Sequence, residues 1–169
     1  ERYESASGPV QRIRYWASWQ KSRVHDARRF RQFDLVTMVS EVDRQTTLGL
    51  IGAHGPAVEV VPNGVDCQHN HPGLADPRPG ALVYSGSLTY SANFDAMQWF
   101  PAEIYPQIRA QTPNAALTVT GSTAGVDTAA LALDNSVTLT GNVPDVRIPV
   151  AEATACVVPL RQGSGTRLK

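Results

Sequence analysis

The sequence predicts an α/β protein built on a parallel, doubly wound sheet, and three observations carry the prediction. The composition, 42% hydrophobic, 18% charged and 7% aromatic over 169 residues, is that of an ordinary soluble globular protein able to bury a core. Short β-rich runs alternate with helical segments from residue 81 onward, the pattern that parallel sheets with crossover helices produce. The first three of those runs each close on a glycine, and in such sheets ligands collect beyond the carboxyl ends of the strands.

The elements follow in chain order. Residues 10–32 contain neither Pro nor Gly. They set Ile13, Trp16, Trp19 or Gln20, Val24, Ala27 and Phe30 at three- and four-residue steps, which predicts one long amphipathic helix. Its charges are almost all positive (Arg12, Arg14, Lys21, Arg23, Arg28, Arg29, Arg31), as on a solvated helix surface or, alternatively, an RNA or membrane face. FDLVTMVS reads as a buried strand. SEVDRQTTLGLIG reads as a short helix with Ser40 as N-cap and Asp43 three residues on, and VEVVPNGVD as a strand ended by a Pro-Asn-Gly turn.

Residues 66–80 hold three prolines, two glycines and two histidines without periodicity, so they are expected to be a linker between a segment 1–65 and a segment 81–169. His69 and His71 flank Asn70 in a string that invites a metal or nuclease reading, but no wider ligand set accompanies it. Strands are expected at 81–86, 115–121, 136–141 and 153–160. Between the first two runs a helical stripe of Phe94, Met97, Phe100 or Pro101, Ile104 and Ile108 is expected, with Asn93 as N-cap, Asp95 in the first turn, and Pro101 and Pro106 kinking or breaking it.

The ends of these runs place Gly86, Gly121, Gly141 and Gly163 on one edge of the sheet. A strand that hands over to a helix through small residues leaves backbone N–H groups and the positive end of the helix dipole facing outward, a seat for an anion. Two loops fit: SGSLTYSANF, and RQGSGTRLK with its Arg161, Arg167 and Lys169. Guanidinium forks match phosphate oxygens, which makes a diphosphate the expected guest. Neither the ATPase loop nor the dinucleotide fingerprint is literally present.

The segments VVPNGVD, YSGSLTYSANFDAMQWFPAEIYPQIRAQTPNAALTVTG, VTLTGNVPDV and ACVVPLRQGSGTRLK resemble, in this order and spacing, the retaining family 4 glycosyltransferases. The resemblance runs from about residue 34 to the end. It implies a Rossmann-like parallel sheet with flanking helices and a partial two-lobed GT-B architecture. The end of an acceptor-side N-terminal lobe would then be followed by the first half of a donor lobe that binds a nucleotide sugar. By this resemblance Gly86 and Ser87 would flank the donor phosphates, with Gly121 on the same rim. Gly141, Asn142 and Val143 would receive the nucleobase. Gly163, Ser164, Gly165 and Thr166 would form the diphosphate and sugar loop, with Arg161 and Lys169 as electrostatic catalysts. The chain departs from the family where a basic pair is replaced by Ser87 and Asn93, where an acidic residue is replaced by Thr154, and where the chain stops before the ribose-binding glutamate expected just after Lys169.

Expectations about activity and setting follow. A departing nucleoside diphosphate develops charge that pre-aimed N–H groups and cations stabilise without a metal, and no Asp-x-Asp motif occurs. The expected reaction is transfer of a sugar to a glycan or lipid-linked acceptor with retention, in polysaccharide or other glycan synthesis, with this chain alone inactive. A non-catalytic module that binds nucleotide diphosphate or serves in assembly is the alternative. A dinucleotide oxidoreductase with an eroded fingerprint is a third reading. Fifteen basic residues balance fifteen acidic ones, so nothing global points to nucleic acid. No apolar run approaches the ~20 residues needed to cross a bilayer, and the N-terminus lacks a signal-peptide pattern, so a cytoplasmic or membrane-peripheral setting is expected. Cys67 and Cys156 are expected as reduced thiols, and an unpaired sheet edge is expected to favour self-association.

Overall fold

A computed structural model describes residues 8–161, which divide into two compact units, the first up to Gly64 and the second from Val65 onward.

The first unit contains α1 (Pro9–Phe30), β1 (Leu35–Met38), α2 (Glu41–Ile51) and β2 (Ala57–Val60). Pro9 opens α1 in the first turn, where its missing N–H costs no hydrogen bond, and Arg28 and Arg29 sit in the last turn, where they complement the dipole. The apolar stripe is helical as expected, but within the unit it is not buried. Ile13, Trp16, Trp19 and Val24 are each more than half exposed, and α1 contains no buried residue. Only at the end of the helix does Phe30 pack on the small core of Val36, Ile51 and Val58. The α2 cap is the expected one: Ser40 Oγ accepts from the Asp43 backbone N–H at 3.2 Å and lies 2.6 Å from the Asp43 carboxylate. The crossover through α2 brings β1 and β2 together in parallel, from Leu35 opposite Ala57 to Met38 opposite Val60.

The second unit contains β3 (Arg78–Ser85), α3 (Ser91–Trp99), α4 (Tyr105–Gln111), β4 (Ala116–Thr120), β5 (Val137–Gly141), α5 (Arg147–Ala151) and β6 (Ala153–Cys156). Its four strands form one parallel sheet in the order β5-β4-β3-β6, the predicted Rossmann-like class. Sequence reasoning misplaced the start of the sheet: β3 begins at Arg78, inside the stretch expected as linker. The cause is pairing across the sheet. The Arg78 N–H donates to Glu152 O at 2.8 Å, its guanidinium reaches the Glu152 carboxylate at 2.8 Å, and Thr154 Oγ1 donates back to Arg78 O.

One face of the sheet is closed by α3 and α4. Tyr84, Leu117 and Val119 from the strands, together with Leu88, meet Ala96, Met97, Phe100 and Tyr105, all buried. The two prolines shape this arm without ending it. A π-helical turn, Phe100–Ile104, joins α3 to α4, so that the Tyr105 N–H reaches Phe100 O, five residues back. Pro101 and Pro106 each fall at the first or second position of a new segment, where a proline removes no needed donor. Tyr105 then pins the arm to the sheet through bonds from its hydroxyl to Ala115 O at 2.9 Å and Ser136 Oγ at 3.0 Å.

The expected cap of α3 is corrected. The N-cap position is Tyr90, whose side chain makes no capping bond, and Asn93 lies inside the helix and is buried. The Asn93 side chain is engaged by Tyr84 and Ser87, which leaves it unavailable as a cap. Asp95 likewise lies beyond the first turn, where no acidic residue is found.

Candidate functional site

The carboxyl ends of β3, β4 and β5 come together as one rim. The Gly86 N–H donates to Thr120 O at 2.9 Å, and the Gly121 N–H donates to Gly141 O at 2.8 Å. The Leu88 N–H donates to Ser122 O at 2.9 Å. Three of the glycines expected on one edge are therefore joined through a continuous set of backbone bonds. Gly121 has a φ of +116°, and a Cβ on it would lie 2.7 Å from the Gly86 carbonyl carbon and the Ser87 nitrogen. Only glycine allows β3 and β4 to close on one another here. Gly141, at φ +67°, ends β5 with open space beside it, and Asn142 and Val143 follow, the first exposed and the second half-buried.

A buried polar network that sequence reasoning missed holds the loop between β3 and α3. Tyr84, fully buried in β3, donates its hydroxyl to Asn93 Oδ1 at 2.7 Å, and Asn93 Nδ2 donates to Ser87 O at 2.7 Å. Ser87 Oγ lies 3.2 Å from Ser122 O and 2.7 Å from Thr89 Oγ1. Burial pushes the Tyr84 phenol up to about 12, so it stays a neutral donor across the working pH range. Helical spacing does not mark Asn93 as different from any other polar residue near a helix start. Its hydrogen bond with a strand tyrosine nine residues earlier is visible only in three dimensions.

Arg161 lies five residues beyond β6, on a stretch whose Val157 and Leu160 pack against the core of the unit. Its guanidinium is forked onto a carboxylate: Nε lies 3.1 Å from Asp95 Oδ2, and Nη2 lies 2.6 Å from Asp95 Oδ1. The same guanidinium carbon sits 5.6 Å from the centre of the Trp99 ring. The hydrogen bond to Asp95 raises the pKa of Arg161 above its ordinary value. Of the other residues singled out in this loop, Gly163, Ser164, Gly165, Thr166 and Lys169 lie outside the described residues. Elsewhere on the same edge, Asp145 accepts from the backbone N–H and the guanidinium of Arg147, which holds its carboxyl down at about 2. The Arg147 guanidinium also reaches His69 O.

Among the described residues no group of three His, Cys, Asp or Glu side chains is placed to hold a metal ion. Both Cys67 and Cys156 are exposed. No helix in the described region is long and apolar enough to cross a membrane.

The family described as "Glycosyl transferases group 1" matches residues 79–169, more than half of the chain and all of the glycine-edged sheet except its first residue, Arg78. The chain belongs to the group 1 glycosyl transferases. No individually curated protein matches it. For a group 1 glycosyl transferase the rim falls where an α/β sheet of this kind offers a ligand site, beyond the carboxyl ends of parallel strands.

Proposed function

We propose that this group 1 glycosyl transferase domain seats the diphosphate of a nucleotide sugar at Gly86, Ser87 and Gly121, on the rim that these residues form with Gly141, for transfer of the sugar with retained anomeric configuration. The single observation that carries the reading is the closure of that rim: three strand ends joined backbone to backbone at the carboxyl edge of a parallel sheet. The first turn of α3 opens onto the Gly86–Ser87 loop without a side-chain cap and adds a positive dipole end. Gly141, Asn142 and Val143, on the adjacent strand end, would flank the nucleobase. Gly163, Ser164, Gly165 and Thr166 would complete the phosphate seat, with Lys169 opposing the charge that develops on the departing diphosphate. The reaction needs no metal on this reading, and the acceptor is a glycan or lipid-linked sugar.

The test is binding first and chemistry second. UDP, GDP and ADP, each titrated against the chain, should give one saturable thermal stabilisation, with NAD giving none. Proton NMR of the product formed from the matching nucleotide sugar by a longer polypeptide that carries both lobes should show the donor's anomeric configuration preserved. Stabilisation by none of the three nucleotides would overturn the donor reading, and an inverted product would overturn retention.

A further inference from the structure

Arg161 was expected to face the donor phosphates, yet its fork is filled by a carboxylate of its own chain. Asp95 and Trp99 stand four residues apart on α3, hence on one face of that helix, and the Arg161 guanidinium meets both. A bidentate carboxylate takes the Nε and Nη2 donors of the guanidinium, in the geometry that best satisfies it. Asp95 neutralises the charge that a direct phosphate contact would use. The two ends of this contact belong to different walls of the rim. α3 follows β3 and is tied to the Gly86–Ser87 loop through Asn93, while Arg161 follows β6, the neighbour of β3 in the sheet.

We infer that Arg161 is a positioning residue: through Asp95 and Trp99 it latches the chain leaving β6 onto α3, and it acts on donor binding through that latch rather than by touching the donor. This inference rests on the donor reading above and makes it more specific. The two roles predict opposite outcomes for Asp95. If Arg161 grips phosphate directly, removing the Asp95 carboxylate frees the guanidinium, and nucleotide binding holds or tightens. If Arg161 is a latch, removing either partner has the same effect, and removing both adds nothing further.

The experiment measures UDP, GDP and ADP affinity in the full chain for the wild type, Asp95→Asn, Arg161→Gln, Arg161→Lys and the double variant Asp95→Asn with Arg161→Gln. The latch predicts that each single variant weakens the best-bound nucleotide by about fivefold and that the double variant is no weaker than either single one. Arg161→Lys should fail to rescue, because a point charge cannot make the fork or lie over the indole. Affinity in Asp95→Asn equal to or above wild type, additive losses in the double variant, or full retention in Arg161→Lys would each overturn it.

A second measurement is independent of any ligand. Trypsin must take the Arg161 side chain into its own pocket to cut after it, so the latch protects the Arg161–Gln162 bond. Cleavage there, followed by mass spectrometry at limiting protease, should be several-fold faster in Asp95→Asn than in wild type, with other sites unchanged. An unchanged rate would overturn the latch. If no nucleotide binds the wild type, the donor reading falls, and the protease result alone decides the latch.

Discussion

Among the described glycines, Gly121 is where the closest backbone approach coincides with a positive φ. Its backbone stands at φ +116°, and its missing Cβ leaves room for Gly86 and Ser87 at 2.7 Å. An alanine would meet both penalties together, left-handed strain and an overlap with backbone that cannot rotate away. Gly121→Ala should therefore lower stability by about 3 kcal/mol, read as a shift in the denaturant midpoint, and should pry β3 from β4 at the rim. Asn93 is the second residue on which the rim depends. Asn93→Ala removes the acceptor of the Tyr84 hydroxyl and the donor to Ser87 O inside the fold, a loss of about 2 kcal/mol. The same variant should weaken nucleotide binding measured by calorimetry more than Thr89→Ala does, since Thr89 is exposed and its hydroxyl pairs with the exposed side of the loop, at the Ser87 hydroxyl. Asp145 supplies a pH signature. Hydrogen bonds from Arg147 hold its folded pKa at about 2, below the unfolded value, so its contribution is present above about pH 4 and is lost as pH falls toward 2. Asp145→Asn should flatten that part of the acid limb in a series of urea melts between pH 2 and pH 5.

At the scale of elements, the sequence was most informative where a local rule and the tertiary fold agree. The parallel strands β4 and β5 were legible because Leu117, Val119, Val137 and Leu139 alternate with polar or small neighbours and each run closes on a glycine. The α2 start was legible because Ser40 and Asp43 satisfy the cap within four residues. Where tertiary partners decide, the reading failed. β3 extends back through Pro79 and Gly80 to Arg78 because β6 and Glu152 offer it partners from more than seventy residues away. The positive φ of Gly80 falls between Arg78 and Leu82, where the register with β6 shifts. Asn93 was read as a cap because its residue type suits one, but burial beside Tyr84 gave its amide other partners. The prolines of the α3–α4 arm were read correctly as a distortion. Its form, a π turn that keeps the arm continuous and brings Phe100 over Tyr105 at 6.2 Å, depends on the packing of both rings on the sheet. Of the candidate site, the shared edge of Gly86, Gly121 and Gly141 was visible in the strand endings. The Asp95–Arg161 pairing was not, because sequence pattern carries no record of contacts between residues sixty-six positions apart.

At the scale of the whole molecule, the two units differ in how much apolar surface each buries, and this sets how each should open. The first unit centres on Val36, Ile51 and Val58, under a two-stranded sheet and one face of α2, and leaves the stripe of α1 in solvent. Among its described residues the second buries ten in one cluster, including Tyr84, Met97, Phe100, Leu117 and Val119, around two central strands flanked on both sides. Opening free energy scales with the contacts an element must give up, so protection should not be uniform along the chain. Native-state hydrogen exchange should show the amides of β3 and β4 exchanging at least about 100-fold more slowly than those of β1 and β2, a gap of about 3 kcal/mol in opening free energy. The amides of α1 between Val10 and Val24 should be faster still, since no buried side chain anchors that part of the helix. Equal protection in β1 and β3 would mean that the first unit draws stability from outside its own three-residue core. In that case the exposed face of α1, with Trp16 and Trp19, is the surface on which to look for the missing contacts.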